Sequence, residues 1–272
     1  MSNYLLYSAA NSQVRLRCGD FHETLDSVHN IDFFVTSPPY NIGSKAPKKV
    51  YGRRKEGICD PKNFGAIRGY EDDLPEDEYQ NSQVEMLKFF FDRSAQDAAF
   101  VYNHKPRHVN GEEIRPERWL YRSAWAFIHD TIVWNRKSTH NHCPSFYWPV
   151  YELCFILKKE RQTPARFKNN SGMSNVMDFR RACQDDDNKH DAPFTLELPM
   201  TFIKDFCTPG CLVCDPYSGS GTTMLASYLS RCRFDGSEKV EKYFKNSIGF
   251  FEKKSGLKGK IREITQRLIV TV

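Results

Sequence analysis

The chain has 272 residues, enough for one large α/β domain or two small ones with a real buried core. Its formal net charge of +5 permits a polyanionic partner without requiring one, and no stretch approaches the roughly 18 uninterrupted apolar residues of a membrane span. Nine scattered cysteines, an odd number with no charged-then-apolar leader before them, argue against a disulfide scaffold and for a reducing, cytoplasmic setting.

In chain order, residues 14–18 alternate as a strand and end in Gly19-Asp20, so a carboxylate sits where a strand stops; a short helical stretch is predicted around Leu25 and Val28. Residues 31–35 form a short β-branched and aromatic run that reads as a buried strand. It is stopped by Ser37-Pro38-Pro39-Tyr40. The prolines remove backbone donors and push their predecessors toward extended geometry, giving a stiff turn with a hydroxyl, free carbonyls and a ring. Such a turn suits gripping a planar polar group, and the plain alternative is a loop that happens to be rich in proline. Residues 42–70 lose apolar periodicity and carry Lys45, Lys48, Lys49, Arg53, Arg54 and Lys55, which reads as a long basic loop or a solvated linker. Residues 76–93 read as an amphipathic helix with Tyr79, Gln83, Met86 and Phe90 at helical spacing, a core-packing pattern.

Strand and helix keep alternating. A strand is predicted at 98–102, followed by Asn103-His104-Lys105-Pro106, then a polar loop and a helix over 118–127. Two more strands, at 131–134 and 153–157, suit an antiparallel pair at a sheet edge. Residues 158–191 are polar and read as an insertion outside the main sheet. A helix over 196–206 accommodates Pro199 near its first turn. The short apolar strand 211–214 leads into Asp215-Pro216-Tyr217-Ser218-Gly219-Ser220-Gly221-Thr222-Thr223, with a helix from Met224. Residues 234–237 form a weak strand ending near Glu238, and a last amphipathic helix carries Val240, Tyr243, Phe244, Ser247 and Phe251. The tail from 257 to 272 is basic and loosely patterned.

The loop from Asp215 to Thr223 lacks the Gly-Lys-Ser/Thr of a phosphate-binding P-loop and the spacing of a dinucleotide fingerprint. What it offers is a carboxylate ending a strand, glycines that admit a ligand to the backbone, and a helix start. Glu238 ends the next candidate strand, from which a carboxylate reaches ribose hydroxyls in nucleotide-binding α/β folds. Together these describe a pocket for an adenosine-bearing cofactor; the alternatives are a helix-capping Asp215 and a surface Glu238. Cys207, Cys211 and Cys214, with His140, His142 and Cys143 elsewhere, raise a zinc site, but residues 212–214 belong to the strand feeding Asp215 and no second pair completes four ligands. No metal is expected.

The Thr36-Ser37-Pro38-Pro39-Tyr40-Asn41 stretch, followed much later by Asp215-Pro216-Tyr217-Ser218-Gly219-Ser220-Gly221-Thr222, resembles the DNA amino-methyltransferases of the permuted (β) class, in which the catalytic motif precedes the cofactor motif. The resemblance covers most of the chain. It implies a single α/β domain with a doubly wound, mainly parallel seven-stranded sheet of the Rossmann-like methyltransferase fold, an antiparallel edge and loop insertions. It implies S-adenosylmethionine as cofactor, with Asp20 at the adenine, Pro193 and Phe194 at the methionine end, residues 215–222 around the cofactor and Glu238 at the ribose. Tyr217 stands where phenylalanine is usual, and Gly236-Ser237-Glu238 is a degenerate form of its motif. Serine before Pro-Pro-Tyr is mostly associated with the N4 amine of cytosine, which makes N6-adenine methylation the rival in the same class; a decayed protein that binds DNA without catalysis is the rival of another class.

The chemistry asks for acceptors. An exocyclic base amine is a poor nucleophile because its lone pair is delocalised into the ring. The Ser37 hydroxyl and Pro38 carbonyl suit its two hydrogens, and the Tyr40 ring suits stacking on the base. The amine is out of reach inside a duplex, so the nucleotide must flip out. Methyl transfer is then direct, without a covalent enzyme intermediate. A C5 methyltransferase would need a Pro-Cys nucleophile, and Cys143-Pro144 is the reverse order. Duplex DNA is the expected partner, held by the basic loop 42–70 and recognised in part by residues 158–191. A restriction-modification setting and a homodimer also follow from the resemblance.

Overall fold

The computed structural model describes residues 2–42, 72–123, 126–137, 147–159, 174–179 and 195–266. Its elements run β1 (Ser2–Ala9), β2 (Val14–Cys18), α1 (Phe21–Thr24), β3 (Ile31–Thr36), α2 (Glu76–Arg93), β4 (Ser94–His104), β5 (Arg107–Val109), β6 (Glu112–Ile114), α3 (Glu117–Leu120), β7 (Phe127–Asn135), β8 (Tyr151–Lys158) and β9 (Val176–Met177). They continue with α4 (Glu197–Phe206), β10 (Leu212–Asp215), α5 (Thr222–Leu229), β11 (Arg233–Glu238), α6 (Glu241–Ser255) and β12 (Lys260–Gln266).

One ten-stranded sheet has the order β12-β1-β2-β11-β10-β3-β4-β8-β7-β9, and β5 and β6 form a separate hairpin. The run from β2 through β11, β10 and β3 to β4 is parallel. Beyond β4, β8 runs antiparallel to it, and β7, antiparallel to β8, returns to the direction of the run. Parallel strands covered on both faces read as continuous apolar runs, and all four residues of β10 are buried. From Phe33 onward the period of two splits the side chains of β3: Phe33 and Val35 enter one core with Leu198, Phe202, Met224 and Phe244, while Phe34 enters the other with Met86, Phe90 and Phe100. Ile31, before an irregularity in the register between Ile31 and Phe33, also joins the second core. Phe33 and Phe34 are both fully buried, and each such burial contributes about 1.5–3 kcal/mol. A one-residue slip would exchange the two cores, so the register of β3 is firmly held.

The doubly wound α/β expectation holds, with three strands beyond the seven expected. β1 pairs with both β2 and β12, so the opening segment and the loosely patterned tail join a sheet margin. Neither has a continuous apolar run to announce it. At the far edge β9 pairs in parallel with β7, and Trp134 Nε1 donates to the Phe179 carbonyl at 2.9 Å. Part of the polar 158–191 segment therefore returns to the sheet instead of lying outside it. The helix expected near Leu25 and Val28 lies earlier, because Asp20 accepts the His22 N–H at 3.0 Å and caps α1, which Leu25 closes. The helix expected over 118–127 shrinks to the single turn α3, since Phe127 already starts β7. The polar stretch after β4 forms the β5–β6 hairpin. α2 has the predicted bounds, with Glu76, Asp77 and Glu78 complementing its amino terminus. Among the described residues no helix is long and apolar enough to cross a membrane.

β10 and β3 are neighbours, but the helix after β10 packs with α4 and α6 on one face while the helix after β3 packs on the other. The chain thus departs in opposite directions from two adjacent carboxyl ends, which opens a crevice there.

Candidate active site

The turn Ser37-Pro38-Pro39-Tyr40 leaves β3 at this crevice. Two groups from beneath fix it. The Tyr79 hydroxyl of α2 shares its one proton between two acceptors, the Pro39 carbonyl at 2.8 Å and His104 Nε2 at 2.7 Å. His104 Nδ1 sits 2.8 Å from the Lys105 carbonyl, which can only accept, so Nδ1 carries the proton. Burial holds His104 well below the usual imidazole range, so it is a neutral ring, and the Tyr40 ring lies against it with centroids 4.5 Å apart. Tyr79, read from the sequence as core packing, therefore supports the turn directly.

A second set of polar groups meets the turn from the sheet. The Tyr40 hydroxyl donates to Glu152 Oε2 at 2.9 Å and lies 2.8 Å from Ser37 Oγ. Asn103 Nδ2 reaches Glu152 Oε2 at 2.8 Å, Tyr40 Oη at 2.7 Å and Ser37 Oγ at 3.2 Å. A carboxylate cannot donate, so the amide of Asn103 must present its nitrogen here, and its oxygen accepts from the buried Cys154 thiol at 3.2 Å. Arg136 Nη1 pairs with Glu152 Oε1 at 2.7 Å and anchors Nη2 on the Pro149 carbonyl at 3.1 Å. Asn103 is fully buried and Glu152 is 6% exposed. Burial and the neighbouring Glu152 both push the Tyr40 phenol well above its ordinary value, so it stays protonated.

Across the crevice, the loop after β10 folds onto the end of β11. The Gly219 N–H donates to Glu238 Oε2 at 2.9 Å and the Val240 N–H to Oε1 at 2.8 Å. Gly219 and Gly221 take φ of 48° and 78°, the left-handed region that favours glycine. The loop closes with Gly221 N–H on the Ser218 carbonyl at 2.8 Å, and α5 starts at Thr222. Burial raises Glu238 to about 7 and Asp215 to about 6. Asp215 Oδ1 accepts from Thr36 Oγ1 at 2.9 Å and from the Tyr217 N–H at 3.1 Å. Asp20 stands beside this loop, because the Gly19 N–H donates to the Glu238 carbonyl at 3.0 Å. Its carboxylate is partly exposed and held below the usual range first by the His22 side chain. Tyr217 packs edge-on against Phe21, with centroids 5.6 Å apart, so the phenol is accommodated where phenylalanine is usual.

The crevice thus unites Ser37, Pro38, Pro39 and Tyr40 with residues 215–222, and carries Asp20 and Glu238 at one end. Pro193, Phe194 and the basic residues Lys45, Lys48, Lys49, Arg53, Arg54 and Lys55 lie outside the described residues, as do His140, His142 and Cys143. Among the described residues no three potential metal ligands cluster. Sequence reasoning missed Glu152, Asn103, Arg136 and the role of Tyr79. The available signal was a buried-strand pattern broken by a polar residue near one end, as Asn103 follows the apolar run of β4 and Glu152 precedes that of β8.

Comparison with known proteins fits this geometry. A family model described as DNA methylase, covering N6 and N4 methyltransferases, matches residues 31–249. The chain belongs to this DNA methylase family. The matched span runs from the first residue of β3 into α6, so it contains both the turn and the glycine loop. Among solved structures, PvuII DNA methyltransferase, described as cytosine-N4-specific, is 19% identical with a TM-score of 0.67, covering 87% of this chain and 85% of that one. The M1.HpyAVI–SAM complex is 16% identical with a TM-score of 0.58, covering 87% of this chain and 98% of the other. At these identities the likeness is one of fold. No curated protein sequence gives a significant match.

Proposed function

We propose that this DNA methylase transfers a methyl group from S-adenosylmethionine to the exocyclic N4 amine of a cytosine flipped out of duplex DNA. The observation that carries the reading is the junction of the Ser37–Tyr40 turn with the Asp215–Gly221 loop at adjacent strand ends, joined by the Thr36–Asp215 hydrogen bond. The cofactor supplies an electrophilic methyl sulfonium. The residues fit its nucleoside half: Glu238 places a buried carboxylate at a strand end, toward ribose hydroxyls, and Asp20 a partly exposed one toward the adenine. Gly219 and Gly221 let it approach the backbone, with Pro193 and Phe194 assigned to its methionine end.

Ser37 Oγ and the Pro38 carbonyl accept the two amine hydrogens, and the Tyr40 ring stacks on the base. Serine at position 37 supports cytosine over adenine, although the family spans both amines. The segments 42–70 and 158–191 are assigned to phosphate contact and target recognition. A homodimer in the cytoplasm, within a restriction-modification pair, is the setting implied by the resemblance. Methylating a defined oligonucleotide and digesting it to nucleosides tests the assignment. N4-methylcytosine is expected; N6-methyladenine as sole product overturns the base, and no transfer to any DNA overturns the activity.

A further inference from the structure

The hydrogen-bond chain behind the turn has a direction. Glu152 Oε2 can only accept, so the single Tyr40 proton goes to it. Tyr40 Oη is then left with lone pairs, one toward Asn103 Nδ2, the other toward Ser37 Oγ at 2.8 Å. The single Ser37 proton therefore goes to Tyr40, and Ser37 Oγ offers only lone pairs to whatever enters the crevice. Arg136 and Asn103 hold the carboxylate so that it cannot turn away. Serine 37 is thus fixed as an acceptor by a residue on another strand, 115 positions along the chain by the two residue numbers.

We propose that Glu152 is the positioning residue and terminal proton acceptor of the methyl transfer. This rests on the amine-methylation reading given above, and is indifferent to which base carries the amine. The amine nitrogen forms a bond to the methyl carbon as the sulfur–methyl bond breaks, with that electron pair staying on sulfur. The nitrogen becomes cationic and strongly acidic. Its proton passes to Ser37 Oγ as the Ser37 proton moves to Tyr40 Oη and the Tyr40 proton to Glu152 Oε2. The neutral methylated amine then leaves, and Glu152 returns the proton along the same chain to water. A carboxylate that is buried and fully hydrogen-bonded performs this without reorganising.

Glu152→Gln tests the idea, because an amide keeps the shape but cannot take up the proton that the carboxylate receives from Tyr40. Single-turnover methyl transfer to duplex DNA is expected to fall about 100-fold or more, the scale of general acid–base catalysis. Cofactor affinity measured by calorimetry is expected to stay within about threefold, since Glu152 lies outside the cofactor loop. The solvent deuterium isotope effect, with a curved proton inventory in the native enzyme, is expected to collapse. Tyr40→Phe breaks the same chain and is expected to lose a similar factor, with the double variant no slower than the slower single one.

A Glu152→Gln rate within about threefold of native, or losses that multiply in the double variant, overturns the proposal. Should Glu152→Gln fail to fold, native-like rate and isotope effect in Tyr40→Phe overturn it alone. A readout free of turnover is the pH titration of the Tyr40 ring carbon by ¹³C NMR, assigned by its absence from Tyr40→Phe. Its midpoint is expected to drop in Glu152→Gln, and an unmoved midpoint overturns the coupling. Native enzyme that methylates no DNA would instead overturn the methyltransferase reading, while the titration still decides whether Glu152 governs Tyr40.

Discussion

Thr36 Oγ1, on the last residue of β3, donates to Asp215 Oδ1, on the last residue of β10, at 2.9 Å. Both groups are buried, at 1% and 4% exposure. One hydrogen bond therefore ties the strand that carries the catalytic turn to the strand that carries the glycine loop. Thr36→Val keeps the shape and removes the donor, leaving Asp215 short of a partner. The expected cost is about 1–3 kcal/mol in urea unfolding, the penalty for a buried group left unsatisfied. Because the Thr36 bond lowers Asp215, its loss should also move that carboxyl above about 6. Unchanged stability would show the strand ends to be held by packing alone.

Tyr40→Ala removes the ring from His104 and the hydroxyl from Glu152, both away from the loop 215–221. Turnover on duplex DNA is expected to fall about 100-fold or more, the cost of misplacing a reacting group. Cofactor affinity by calorimetry should change little. Large loss of cofactor binding with turnover preserved would contradict the assignment.

Glu238 has a folded value near 7 because burial disfavours its charge, against an ordinary value of 4.5. A ribose hydroxyl donates best to the carboxylate form, so cofactor binding favours the deprotonated enzyme. Affinity is therefore expected to be full above pH 7 and to weaken progressively as pH falls below it, with proton release on binding near pH 7. Calorimetry in buffers of different ionisation enthalpy measures both. A flat affinity between about pH 5.5 and 8.5 would remove Glu238 from the ribose contact.

Gly221 cannot carry a side chain. Its φ is 78°, and an added Cβ would sit 2.8 Å from Ser247 Cβ and 3.1 Å from the Ser247 carbonyl in α6. Gly221→Ala is expected to cost about 1–3 kcal/mol from the backbone alone, with further loss from the clash. A lower melting temperature together with weakened cofactor binding is the expected result; a stable variant with native affinity would show that α6 yields easily.

Much of this was legible in one dimension. Residues 31–35 and 211–214 declare themselves as buried strands because parallel strands are apolar throughout, and α2 because Tyr79, Gln83, Met86 and Phe90 recur at helical spacing. The margins were illegible for the complementary reason. β1, β9 and β12 gain their order from neighbours in the sheet, and their own residues carry too little periodicity to reveal it.

The sequence by itself determined the two loops, their order and the residue types they present: a hydroxyl and a ring before the midpoint, a carboxylate and glycines well after it. These follow from local chemistry, since proline and glycine punctuate the backbone wherever they stand. Only the tertiary structure decided what stands behind the turn. Glu152, Asn103, Arg136 and Tyr79 come from β8, β4, the end of β7 and α2, and nothing in their spacing joins them. They meet because the sheet order places β8 beside β4 and β4 beside β3, and a buried hydroxyl must find a partner there.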